Sequence, residues 1–298
     1  MRVAGIDCGT NSIRLLVTDG GEQLHREMRI VRLGQGVDRS GLLAPEALDR
    51  TKAALVDYAA VIERLGTERT RMIATSAIRD ADNRADFVAM VHDTLSVEPE
   101  VITGREEAEL SYAGAVGTLD GVDEKVLLID LGGGSTELVL GPHPLRAHSM
   151  DVGSVRMTER HLHDDPPTPQ QLAAAVADVR HALDTAARDV PLDTGATLVG
   201  VAGTVTTVAA IALGLTEYDP ARIHGARVSR EQIEAVVDRL AHLDHGGRAA
   251  IPVIHPGRVD VITAGALVLR TVVERAAATE VVVSEHDILD GVAASIIE

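Results

Sequence analysis

Two stretches of this chain carry residue types that hold anions. VAGIDCGTNSIRLLV at residues 3–17 and VLLIDLGGGSTELVL at residues 126–140 lie in register, with Asp7 and Asp130 standing 123 residues apart. At that offset Val, Ile, Asp, Gly, Ser and Leu recur, and each copy predicts a strand, a glycine-rich turn and a returning strand. Glycine lets a backbone bring several amide N–H groups close to a phosphate, because no Cβ stands in the way. The candidate donors are Gly9, Thr10, Asn11 and Ser12 in the first turn. Gly132, Gly133, Gly134 and Ser135, with the Thr136 hydroxyl, are those of the second. A single turn of this type is ordinarily only a hairpin. Two aligned copies point instead to a duplicated domain whose hairpins face a common cleft and grip a phosphate chain, with the aspartates available to a cation.

The segments around these turns predict the elements that must position them. After a third extended stretch at 23–33 and a loop at 34–41, Pro45 opens a helix to about residue 65, with Leu48, Leu55, Tyr58, Ile62 and Leu65 at helical spacing. A short strand at 71–75, a helix at 83–95, a strand at 98–102 and a helix at 104–119 follow. Thr103 and Glu106 form a T-x-x-E capping box at the head of that last helix. Glu107 is thereby left without a capping role. By itself it would be a helix-dipole carboxylate, stabilising by roughly 0.3–1 kcal/mol.

The second half repeats the plan: strands at 126–131, 135–140 and 145–151, then a helix from Ser154. Thr168, Pro169 and Gln171 cap a long alanine-rich helix. A buried strand at 196–202 leads into a helix at 203–213, Ser229 and Gln232 cap another, and helix, strand and helix (258–275, 281–283, 286–297) complete the chain. Alternating strands and helices indicate an α/β fold. The expected domains are 1–122 and 123–298, with the last helix, 286–298, folding back on the first.

Composition narrows the function. With 28 basic and 45 acidic residues the net charge is −17, which argues against a nucleic-acid-coating protein. No run approaches the 18 or so uncharged apolar residues of a membrane helix, and Asp7 breaks any signal-like core at the N-terminus, so a cytoplasmic protein is expected. Cys8 is the one cysteine, which excludes an intrachain disulfide and reads as a small buried filler. The 12 histidines include no H-E-x-x-H, and they read as surface or hydrogen-bonded core residues. No Trp, one Phe and three Tyr leave little for stacking on a nucleobase.

The paired turns resemble those of the actin-like ATPase superfamily. Within it, DLGGGSTEL (130–138), GREEAEL (104–110), ATSAIRD (74–80) and GVAGTVTTVAA (200–210) together resemble the exopolyphosphatase and guanosine pentaphosphate phosphohydrolase family. The likeness runs over essentially the whole chain, and is greatest to the short, two-domain actinobacterial type. It implies two duplicated actin-like (ribonuclease H-like) domains with an interdomain cleft. It also implies that Glu107 is the general base for water attacking a terminal phosphorus in line, with Arg79 binding phosphate oxygens. Asp130 and Glu137 would anchor Mg2+. Asp7 fits either a water or second ion, or a cap on its own turn. Gly203, Thr204 and Thr206 resemble the superfamily's third glycine turn, suited to another phosphate or to closing the cleft.

The reading is thus a magnesium-dependent exopolyphosphatase acting on inorganic polyphosphate, with a homodimer implied by the resemblance and neither nucleic acid nor membrane as partner. Its near rival is hydrolysis of the 5′ γ-phosphate of guanosine pentaphosphate. Rivals of other classes are a polyphosphate or ATP phosphotransferase and a non-catalytic phosphate-chain sensor.

Overall fold

A computed structural model describes residues 1–142 and 144–297 and divides the chain into two compact units, Met1–Gly114 with the segment from Asp287 onward, and Ala115–His286. The division therefore falls within a helix at Gly114, ahead of the 121–124 loop at which the sequence breaks.

In the first unit, β1 (Arg2–Cys8), β2 (Ser12–Asp19) and β3 (Glu22–Ile30) form an antiparallel meander. It is followed by α1 (Val37–Ser40), α2 (Pro45–Leu65), β4 (Arg69–Ala74), α3 (Ser76–Asp80), α4 (Arg84–Leu95), β5 (Glu100–Val101) and α5 (Gly104–Val116). The sheet order is β3-β2-β1-β4-β5, with β1, β4 and β5 parallel. Central β1 is buried from Val3 onward, whereas β3 carries Glu22, His25, Arg26, Glu27 and Arg29 along the sheet edge, where charge discourages pairing with another chain. On one face α2 and α4 bury Leu55, Tyr58, Phe87 and Val91 against Ile6, Ile13 and Leu15. The Tyr58 hydroxyl finds its partner in the Ile13 carbonyl at 2.9 Å.

The second unit contains β6 (Val126–Leu131), β7 (Thr136–Gly141), β8 (Arg146–Met150), α6 (Ser154–His161), α7 (Pro169–Ala186), β9 (Thr197–Val201) and α8 (Ala202–Ala212). It continues with α9 (Pro220–Ile223), β10 (Arg227–Ser229), α10 (Arg230–His242), α11 (His245–Ala249), α12 (Ile262–Arg275) and β11 (Glu280–Val283). Its sheet, β10-β11-β9-β6-β7-β8, repeats the first plan: β6 is antiparallel to β7 and parallel to β9, as β1 is to β2 and β4. The capping boxes read from sequence are present at Thr168–Gln171 and Ser229–Gln232. α12 is buried almost throughout and packs on α6, α7 and α10.

The last helix, α13 (Ile288–Ser295), belongs to the first unit and covers the other face of its sheet. Leu289, Val292 and Ala293 pack on Leu16 and Ile73. Gly5 admits the helix, since a side chain there would press on the backbone of Ala293. Among the described residues no helix is long and apolar enough to cross a membrane. The short helices α1, α3, α9 and α11 and strand β10 have no counterpart in the sequence reading, because three to five residues are too few to show a period.

Candidate active site

Both glycine turns close in the same way. The Gly9 N–H donates to the Ser12 carbonyl at 3.0 Å, and the Gly132 N–H to the Ser135 carbonyl at 3.1 Å. Carbonyls of each turn are then drawn to one side by the segment that follows the third strand of its meander. In the first turn Asn11 O accepts from the N–H groups of Val31 and Arg32, and Thr10 O from Gly34. In the second, Gly132 O accepts from Ser154, Gly133 O from Val155 and Arg156, and Gly134 O from the Arg156 Nε at 2.7 Å. A trans peptide points its N–H opposite its C=O, so this docking turns the N–H groups of Asn11 and Ser12, and of Gly133, Gly134 and Ser135, the other way. The N–H groups of Gly9 and Gly132, by contrast, are taken up in closing the turns. The Thr10 hydroxyl is shared with Ser76 at 2.9 Å in the interior.

The residues opposite the two aspartates differ in charge. Asp7 faces Arg14 across the first hairpin, and Asp130 faces Glu137 across the second; directly opposed residues share a face of the sheet. Arg14 donates to Asp7 Oδ2 through Nε at 3.0 Å and Nη2 at 2.5 Å, and through Nη1 to Asp287. Burial raises the Asp7 pKa and Arg14 opposes that rise. Burial likewise works against the charge of Arg14, but Asp287 and Asp7 outweigh it and hold the guanidinium well above its ordinary pKa. Asp7 Oδ1 is buried without a hydrogen-bond partner. In the second hairpin both members are acidic and nearly inaccessible, Asp130 at 6% and Glu137 at 1% exposure, with Glu137 Oε1 accepting from the Ser149 hydroxyl at 2.7 Å. The two carboxylates share one face beside a turn of backbone amides, an all-oxygen pair that could hold a hard cation such as magnesium. No group of three or more His, Cys, Asp or Glu side chains that could hold a metal occurs among the described residues.

Glu107 and Arg79 are brought together from 28 residues apart. Arg79, at the end of α3, donates to Glu107 Oε2 at 3.2 Å and to the Ile102 carbonyl at 3.0 Å. Glu107 is 7% exposed in the first turn of α5, where Thr103 N–H and hydroxyl are taken up by Glu106 Oε2 at 2.8 and 2.9 Å. The residues predicted for the first unit all gather at the carboxyl ends of its parallel strands. Cys8 pairs with Ala74 and Ala74 with Val101, so the turn, α3 and the head of α5 leave the sheet side by side. That is where α/β sheets place their ligands. Cys8 itself is fully buried, and burial pushes its thiol pKa up, away from reactivity.

In the second unit Asp130 pairs with Val201, which sets Gly203, Thr204 and Thr206 of α8 beside the second turn. The Arg258 guanidinium, the mobile end of a long side chain, lies in the space where a Cβ on Gly203 would stand. Arg14, Ser149, Arg258 and Asp287 were missed by sequence reasoning. Only Arg14 had a legible signal, since it stands seven residues after Asp7 as Glu137 does after Asp130.

The model of the Ppx/GppA phosphatase family matches residues 16–298. The chain belongs to that family. It is 51% identical over 313 aligned positions to Exopolyphosphatase 2 of Mycobacterium tuberculosis, covering 99% of this chain and 98% of that one. Among solved structures, an exopolyphosphatase-like protein superposes with a TM-score of 0.96 at 44% identity, over 99% of this chain and 98% of its own. The Aquifex aeolicus Ppx/GppA family member superposes at 0.82 with 30% identity, over 100% and 97%. The Ppx/GppA fold is thus the α/β pair of actin-like domains seen as the two similar sheets here.

Proposed function

We propose that this Ppx/GppA protein is an exopolyphosphatase, which removes terminal orthophosphate from inorganic polyphosphate, and that the residues of each glycine turn bind phosphate. The observation that carries the reading is Glu107, a buried carboxylate at a helix head whose capping is done by its neighbour Glu106, paired with an arginine suited to phosphate oxygens. The N–H groups of Asn11 and Ser12 and of Gly133, Gly134 and Ser135 bind bridging and terminal oxygens. Gly203 and Thr204 add donors at the head of α8. Arg79 orients Glu107 and neutralises an oxygen of the terminal phosphate. Glu107 then fixes a water in line with the scissile bond and takes its proton as the anhydride P–O bond breaks, releasing orthophosphate and a chain one unit shorter. Asp130 and Glu137 would hold a magnesium ion, which would supply charge neutralisation on the phosphate oxygens, and Asp7 Oδ1 would accept from a water. The working form is a cytoplasmic homodimer, which sedimentation velocity checks.

Phosphate release is to be compared on short polyphosphate, long polyphosphate, guanosine pentaphosphate and ATP, with magnesium titrated in wild type and Asp130→Asn. Turnover of polyphosphate, and a steeply raised magnesium requirement in the variant, are expected. Turnover of guanosine pentaphosphate alone would replace the substrate assignment, and ATP formed from added ADP would make the protein a phosphotransferase.

A further inference from the structure

Asp287 lies outside every motif, yet it is 4% exposed and placed at the junction of three elements of the first unit. It caps α13 through Oδ1, which accepts from the Leu289 N–H at 3.0 Å, and its Oδ2 accepts from Arg14. Its own N–H donates to Asp290 Oδ2 at 3.0 Å, completing the capping box, while the other Asp290 oxygen accepts from Arg26 on β3. The head of α13 is also pressed on α5, the helix whose first turn holds Glu107. A side chain at Gly114 would overlap the Asp287 carbonyl, and one at Gly291 the Leu110 carbonyl. The C-terminal helix thereby reaches, through one arginine, the aspartate at the end of β1.

We infer that Asp287 is a positioning residue, which holds Arg14 on Asp7 Oδ2 so that Oδ1, buried and without a partner, keeps one fixed orientation toward the substrate's hydration shell. The inference rests on the functional reading above for the importance of Asp7. Arg14 needs both anions to stay in place. With Asp7 alone its long side chain swings between rotamers, and the Asp7 carboxyl, relieved of one fixed partner, rotates. Asp287 touches neither substrate nor ion.

The test is a mutant cycle. Asp287→Ser keeps an oxygen that caps the Leu289 N–H and removes the bond to Arg14. It should lower kcat on polyphosphate about tenfold, as loss of an orienting partner does, with KM nearly unchanged. The same substitution in an Asp7→Asn background should have no further effect, because the residue acts through Asp7. Asp290→Ser loosens the same helix head by way of Arg26 and should leave kcat within about twofold. A crystal structure of Asp287→Ser should show Arg14 and Asp7 in more than one rotamer. Additive losses with Asp7→Asn, an equal loss in Asp290→Ser, or an unchanged Asp7–Arg14 pair in the crystal would overturn the inference. A wild type inert on polyphosphate would defeat the functional reading alone, and the crystal would still decide whether Asp287 fixes Asp7.

Discussion

Glu106 and Glu107 are adjacent carboxylates with separate jobs, and the separation is set by what each one touches. Glu106 serves the backbone and hydroxyl of Thr103, and those donors hold its pKa below the ordinary glutamate value. A carboxylate depressed in the folded state stabilises above its unfolded pKa and ceases to do so as pH falls through the folded one. Glu106→Ala should therefore lower the thermal midpoint slightly at neutral pH, with the difference shrinking on acidification, and leave kcat unaltered. Glu107→Gln should do the reverse. Its kcat should fall by about 10² to 10⁴, the usual range for a lost general base, with polyphosphate binding and the thermal midpoint retained. Steady-state kinetics and thermal unfolding of both variants check the division. Equal kinetic losses in the two would show that the helix head as a whole, not one carboxylate, is what matters.

At the scale of elements, the second turn is held by the N-terminus of α6, and Gly153 is the contact point. A Cβ there would overlap the carbonyl of Gly133, a backbone atom that moves only if the turn moves. Gly153→Ala should cost about 1–3 kcal/mol of stability, the range for overpacking, and should weaken both kcat and magnesium affinity by tilting the Gly133 and Gly134 N–H groups. Gly117→Ala has open space around it and a backbone that any residue accepts, so it is the matched control and should be neutral or slightly stabilising. A different element, α7, depends on Thr168, which accepts from the Gln171 N–H in its capping box. Thr168→Ala should cost about 1 kcal/mol without changing kcat, as urea titration monitored by circular dichroism would report.

For the whole molecule, the two ends of the chain fold into one unit. Ile288, Leu289, Val292 and Ile296 are buried by the sheet that begins at Arg2. Each such side chain contributes about 1.5–3 kcal/mol on burial, an amount comparable in sum to the 5–15 kcal/mol that stabilises an ordinary domain. A chain ending at His286 should therefore leave the Met1–Gly114 segment unprotected in hydrogen exchange, with the Ala115–His286 unit still protected. Uniform protection in the truncated chain would show that the helix is an accessory. The net charge of −17 sets a second condition at this scale, since a polyanionic substrate must find its donors in a few backbone N–H groups and arginines against an overall repulsive field.

Local pattern was enough to read the paired turns, the boxes at Thr103–Glu106, Thr168–Gln171 and Ser229–Gln232, and most long helices, because each is built within a few residues or on a repeating period. The family could be recognised for the same reason: its motifs are contiguous. What the chain's path decided lies in pairs far apart in sequence: Arg79 with Glu107, and Arg14 with Asp287, 273 residues on. The short helix α3, which delivers Arg79, has too few residues to carry a period of its own, although Ser76, Ala77 and Ile78 are buried there. Sequence alone singled out the residues expected to bind phosphate. Tertiary structure determined which way their N–H groups point and which carboxylates stand together, since both depend on what packs behind each turn.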